Sequence, residues 1–203
     1  MFTFSLLLTG FFLDTPFLCE VSLKPECAVA CVNNANCSSF FYDANTQECY
    51  LEKNVYVSGH KLQNRSGVQY YTVISRACPS PYIYCRTTNQ CLRMYASTSV
   101  LFPEAEARCR VDSGHLVYIK SEDENRQVAI IADNQPVWLG LQRNANGPGW
   151  HWSNGNPLGT YTNWGPGKPD DGSQIYLFMS KTGFWDDLRP TQRQIAVCEI
   201  DVE

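Results

Sequence analysis

The chain holds only three histidines in 203 residues, His60, His115 and His151, and they are scattered. None stands beside a candidate nucleophile. Neither a Gly-x-Ser-x-Gly nor a His-Glu-x-x-His sequence occurs, so serine-hydrolase and zinc-protease chemistry have no support. No pair of CxxC motifs is present, which disfavours zinc held by thiolates. Basic runs are absent and the net charge is -4, so nucleic acid is not an expected partner. Long apolar runs are missing with one exception, Phe2 to Leu13, FTFSLLLTGFFL. That run is too short for a transmembrane helix, and no membrane span is expected. It reads in two ways. It could be the core of a signal peptide, though no Lys or Arg precedes it and no small-residue cleavage site follows. It could equally be an opening strand with Gly10 at the bend.

What is abundant is cysteine, ten in all. That usage points to a disulfide framework and an oxidising, extracellular compartment. Two Asn-x-Ser sequons agree with secretion and make Asn36 and Asn64 the candidate glycosylation sites. The length fits one large domain or two small ones, and the cysteine spacing divides the chain near residue 76.

Before that point the pattern is Cys27-x3-Cys31-x5-Cys37-x11-Cys49. Ser22 to Asn33 reads as a short helix whose cysteines, four apart, share a face. Cys37 opens an apolar strand, Asp43 to Gln47 is a turn, and Glu48 to Leu51 is the returning strand. Val68 to Ile74, rich in β-branched and aromatic residues, reads as a final strand. Four cysteines allow three pairings, and spacing alone does not choose among them. The segment resembles the PAN or apple module, a helix stapled to a small sheet. That resemblance implies the pairs Cys27–Cys49 and Cys31–Cys37 within a domain of residues 1–76. Such modules bind proteins or carbohydrates.

Beyond residue 77, Cys91 to Tyr95 reads as a strand and Phe102 to Arg110 as a helix that carries Cys109 inward. His115 to Ile119 reads as a strand. Ser121-Glu122-Asp123-Glu124 is a capping box opening a second helix with Val128, Ile131 and Ala132 toward the core. Its acidic start suits the helix dipole and needs no metal. Val137 to Leu141 is a buried strand, and Trp150-His151-Trp152 alternates as a strand does.

Ala107-Arg108-Cys109, Gly114-His115-Leu116-Val117, Trp138-Leu139-Gly140-Leu141, Trp164, Trp185-Asp186-Asp187 and Val197-Cys198-Glu199 follow one another in the order of the C-type lectin-like domain. Residues 77–203 resemble that family. The resemblance implies an α+β fold with two helices, two small antiparallel sheets and a long loop. It implies a Cys109–Cys198 bridge, and a hairpin bridge from Cys78 or Cys85 to Cys91, with Cys78 the chosen partner. Cys19 and the remaining cysteine are left over and could pair. The family's second bridge is missing, because its positions hold Tyr176 and a residue near Arg189-Pro190. The long loop is therefore expected to rest on packing or an ion.

In the family, a triplet around a cis proline and a Trp-Asn-Asp motif bind calcium and sugar together. Here they read Lys168-Pro169-Asp170 and Trp185-Asp186-Asp187. The resemblance makes Asp170, Asp186 and Asp187 candidate ligands for Ca2+, with Lys168 and Gln174 at ligand-contacting positions. Lys168 cannot ligate, since an ammonium only donates. At about 4 Å and an effective dielectric near 20, each unit of like charge costs about 4 kcal/mol. A flexible lysine is thus expected to swing clear of the ion. Three carboxylates and an amide would bind calcium weakly, near 10⁻⁴–10⁻³ M. Two functions follow. One is a secreted carbohydrate-binding protein of doubtful calcium dependence. The other is a calcium-independent extracellular protein–protein interaction or adhesion module, so the expected partners are glycans or extracellular proteins. Neither is an enzyme.

Overall fold

The computed structural model describes residues 3–12, 24–57, 63–75, 77–143 and 149–202. They form two compact units, Met1–Cys91 with Val202–Glu203, and Leu92–Asp201. No helix among the described residues is long and apolar enough to cross a membrane.

In the first unit, β1 (Thr3–Phe12) lies in a sheet, so the apolar run is a strand along these residues. Its register slips between Thr9 and Phe11, around Gly10, where the sequence suggested a bend. Then come α1 (Lys24–Asn33), β2 (Ser39–Asp43), β3 (Glu48–Glu52), β4 (Gln63–Ile74) and β5 (Ile83–Cys85). The sheet order is β1-β4-β2-β3, antiparallel throughout. Asp43 makes the β2–β3 turn, its Oδ1 accepting from the Asn45 amide at 2.9 Å, the local bond that suits aspartate to turns. β4 starts five residues earlier than its β-branched run suggested.

The core of this unit joins Cys27, Cys31, Cys37, Cys49, Phe40, Leu51, Tyr71 and Val73, with Ala28 and Ala30 packed beside them. Cys27 is bonded to Cys49 and Cys31 to Cys37, with Cα atoms 5.7 and 5.2 Å apart. A small sheet under one short helix buries little apolar area, so cross-links carry much of its stability. Cys78 is bonded to Cys91. Cys85 is buried, and Cys19 lies outside the described residues. By compactness residues 77–91 go with this first unit, whereas the cysteine spacing put the boundary at 76.

β6 (Gln90–Val100) carries the chain into the second unit. There follow α2 (Phe102–Val111), β7 (His115–Leu116), α3 (Glu122–Ala132), β8 (Val137–Arg143), β9 (Trp150–Trp152), β10 (Tyr176–Met179), β11 (Trp185–Leu188) and β12 (Gln194–Asp201). The strands run β11-β10-β8-β12-β6, with β7 on β12 and β9 on β8. One feature differs from the two antiparallel sheets expected. β12 pairs with β8 in parallel, Ile195 opposite Val137 and Ala196 opposite Trp138, which links the strands into one network.

Ser121 caps α3, its Oγ accepting from the Glu124 amide at 3.2 Å. Glu124 reaches back to the Lys120 amide. Val128, Ile131 and Ala132 are buried, as the helical period requires. Trp138 is fully buried and donates its indole N–H to the Val100 carbonyl at 2.8 Å. Cys109 of α2 is bonded to Cys198 of β12. Gly140 is demanded by close approach, since a Cβ there would lie 2.7 Å from the Leu116 carbonyl oxygen.

Candidate functional site on the long loop

The site is built on the β10–β11 hairpin. Its register sets Leu177 opposite Asp187 and Phe178 opposite Asp186. Strand alternation then decides the fate of each residue in β11. Trp185 and Asp187 point inward and are fully buried, while Asp186 faces out. Trp185 anchors the hairpin. Its indole donates to Asn125 Oδ1 at 2.7 Å, and Asn125 Nδ2 donates to the Gly183 carbonyl at 3.3 Å. Trp152, Tyr161 and Trp164 contact the Trp185 ring edge-on.

The long loop docks on this hairpin through its backbone. The Trp185 amide donates to Asn163 O, and the Gly165 amide to Trp185 O, both at 2.8 Å. The Ile175 amide donates to Leu188 O at 3.0 Å. The Lys168–Pro169 peptide is cis. In this arrangement Asp170 joins Asp186 and Asp187, with carboxylate oxygens within 4.8 Å of one another. The three residues proposed from sequence as metal ligands thus converge.

Two of them meet a lysine. Lys168 Nζ stands 2.9 Å from Asp170 Oδ2 and 3.0 Å from Asp186 Oδ1. The expectation that this side chain swings clear concerns a site filled by an ion; in the present arrangement the ammonium lies between the two carboxylates. Asp170 and, next, Asp186 push the Lys168 ammonium up to about 12. Asp187 has a different cation. Its Oδ2 accepts from Arg143 Nη2 at 3.3 Å, and its Oδ1 accepts from the Asp170 amide at 3.3 Å.

Arg143 also ties down the loop. Nε donates to Gln174 O at 2.9 Å and Nη2 to Asp171 O at 3.2 Å, while the guanidinium lies 4.9 Å from the Trp150 ring centroid. Gln174, proposed as a ligand-contacting residue, takes part here through its backbone carbonyl. Tyr176, at a position of the missing bridge, stacks on Phe102 with centroids 4.0 Å apart. Ring packing and two side-chain cations hold the loop where the second bridge is missing.

Arg143 and Asn125 were not singled out from sequence, yet each left a signal. Arg143 is two residues past Leu141, in phase with buried Leu139 and Leu141. A guanidinium in that phase calls for a carboxylate inside. Asn125 falls on the same helical stripe as Val128 and Ala132, a polar residue on an apolar face. As for the sequons, Asn36 is exposed in the turn after α1, but Ser38 is buried and bonded to Thr87. Asn64 falls in β4.

The fit to calcium can be tested on these contacts. Calcium takes six to eight oxygens at about 2.3–2.6 Å. Here the oxygens of Asp170 and Asp186 already face an ammonium, and Asp187 is paired with a guanidinium. Bringing a divalent ion within about 4 Å of that ammonium costs about 4 kcal/mol per unit of its charge at an effective dielectric near 20. As folded, the donor set does not fit calcium.

A pH prediction follows. Hydrogen bonds from Ser173 and then Arg189 hold the Asp171 carboxyl at about 2, below its ordinary 3.8. A depressed carboxyl stabilises the fold above its ordinary value and loses that contribution as pH falls toward 2. The raised Lys168 stabilises the fold below its ordinary 10.5, and the contribution is lost as pH rises through about 12. The thermal midpoint is therefore expected to stay level between about pH 5 and 9, as far as these two groups decide it. A step near neutrality in a midpoint-against-pH series would assign the loop's stability to other groups.

Comparison with known proteins agrees with this architecture. The Lectin C-type domain family matches residues 98–200, just over half of the chain, and the PAN domain family matches residues 16–78. Rat asialoglycoprotein receptor 1 is 30% identical over 116 residues, covering 53% of this chain and 40% of the receptor. The chain thus spans less than half the length of that relative. The mouse scavenger receptor C-type lectin carbohydrate-recognition domain superposes with a TM-score of 0.55 at 26% identity, covering 62% of this chain and 98% of that domain. A calcium-independent type II antifreeze protein superposes with a TM-score of 0.56 at 28% identity, covering 62% and 95%. The chain belongs to the C-type lectin domain family, with a PAN domain ahead of its lectin domain.

Proposed function

We propose that this chain is an extracellular recognition protein that binds carbohydrate through the long-loop face of its lectin domain without needing calcium. One observation carries the reading: the Lys168 ammonium bridges Asp170 and Asp186 at 2.9 and 3.0 Å. An ion-mediated grip on sugar hydroxyls is thereby displaced; in its place sugar hydroxyls donate to the carboxylates and accept from the ammonium. Relatives named for carbohydrate recognition, and one named as calcium-independent, are consistent with both halves of the reading. Four disulfides support an oxidising location. The PAN domain supplies a second binding surface.

A protein ligand is the second reading, favoured by Phe184, a large apolar side chain that is 46% exposed immediately before β11. The test is a glycan array probed with the full chain in calcium and in chelator, beside Asp186→Ala. Glycan binding that persists in chelator and falls at least tenfold in Asp186→Ala is the expected result. An empty array would move the search to protein partners, and binding abolished by chelator would reject the calcium-free reading.

A further inference from the structure

Three carboxylates brought within 4.8 Å of one another repel, and Asp187 among them is fully buried. Something positive must hold them. A calcium ion would supply two unit charges. Lys168 and Arg143 supply two as well, each placed on the carboxylates nearest to it. Lys168 takes Asp170 and Asp186, and Arg143 takes Asp187.

We propose that Lys168 and Arg143 together replace the calcium ion, and that Lys168 is the residue that keeps the metal out. The inference rests on the loop being the functional face, but it holds for a glycan or a protein ligand alike. The division of labour is clear from the contacts. Arg143 does the inner part of an ion's structural task, joining β8 to Asp187 and to the carbonyls of Asp171 and Gln174. Lys168 does the outer part, closing Asp170 against Asp186. Both cations are tethered, so their occupancy does not depend on concentration. A loop ordered by a free ion gains stability only as that ion exceeds its dissociation constant. This loop is ordered at any calcium level.

Charge also explains why one substitution would reverse the arrangement. Lys168→Glu removes the ammonium and adds a carboxylate beside Asp170 and Asp186. Four carboxylates then meet one guanidinium, a donor set with the oxygen count and negative charge that a hard divalent ion requires. Lys168→Gln removes the charge and leaves an amide oxygen. It separates unblocking the site from adding a charged ligand.

The experiment is thermal unfolding of the full chain and of both variants, in millimolar calcium and in chelator, with calorimetric titration of calcium into each. Wild type is expected to melt at one midpoint in both media and to take up no calcium. Lys168→Glu is expected to melt lower in chelator and to recover by about 3–8 °C in calcium, with Lys168→Gln between the two. Calcium uptake or a calcium-raised midpoint in wild type overturns the proposal. So does a folded Lys168→Glu that ignores calcium. If Lys168→Glu fails to fold in either medium, the Lys168→Gln titration decides, and no uptake there counts against the proposal. The glycan array is scored separately. A calcium-blind wild type that binds no glycan leaves this inference standing and removes the carbohydrate reading alone.

Discussion

Replacing Arg143 with methionine is expected to destabilise the lectin domain by about 3 kcal/mol, toward the lower end of the 3–5 kcal/mol typical of a broken buried pair. The lower end applies because the Arg143 side chain is 30% exposed, whereas that of Asp187 is fully buried. The cost comes from what is left behind. Asp187 keeps one hydrogen bond from the Asp170 amide, but among the described residues its charge then has no ion-pair partner. In the same substitution the Gln174 carbonyl loses its Arg143 donor, and the Asp171 carbonyl is left with the Gln174 amide alone. Methionine keeps an unbranched apolar stem, so the comparison removes the guanidinium, its charge together with its donors, with little loss of packing volume. Adding Asp187→Asn should return part of the loss, because removing both charges costs less than orphaning one. Denaturant unfolding of the single and double variants, followed by tryptophan fluorescence, measures the cycle. A single variant within about 1 kcal/mol of wild type would mean that the loop is held by its packing and Lys168 alone.

How much of this site could be read from sequence varies residue by residue. Asp170, Asp186 and Asp187 were nameable because they stand at motif positions. Lys168 was recognisable as a non-ligand, but its inward turn was not. That turn depends on carboxylates converging from chain positions 170 and 186, and no local propensity reports such convergence. Elements with a strong local period were legible: α3, with Ser121 at its cap and Val128, Ile131 and Ala132 on one face, and the alternating Trp150–Trp152 strand. The parallel pairing of β12 with β8 was not. Strands that are buried on both faces carry no alternation to set their neighbours. His115 to Ile119 read as a strand from its β-branched residues, yet only His115–Leu116 pairs regularly. Tertiary partners, not propensity, decide how far a short strand runs.

Arg86 is where the limits of the first unit become testable, and Arg86→Ala is expected to destabilise that unit by about 2–4 kcal/mol. Helix α1 ends without a basic residue in its last turn, although free carbonyls and the helix dipole both favour a cation there. Arg86 provides one from more than fifty residues downstream. Nη1 donates to the carbonyls of Cys31, Asn34 and Cys37 at 3.0, 3.2 and 3.3 Å, and Nη2 to Val32 at 3.1 Å. Thr87 continues the attachment, its amide donating to Ser38 Oγ and its hydroxyl to Lys53 O, both at 2.9 Å. Lysine is a poor substitute, since a point ammonium cannot span four carbonyls as a planar guanidinium does. Arg86→Lys should therefore fall between wild type and alanine. The readout is amide hydrogen exchange across α1 and the following turn, with denaturant unfolding for the magnitude. Unchanged exchange at Asn34 and Cys37 in Arg86→Ala would show that solvent caps the helix equally well. The same contacts predict the fate of truncated chains. One ending at residue 76 lacks Arg86, Thr87 and the Cys78–Cys91 bridge, and should unfold at lower denaturant than one ending at residue 91. The PAN family match ends at residue 78, but the physical unit includes the turn that caps its helix.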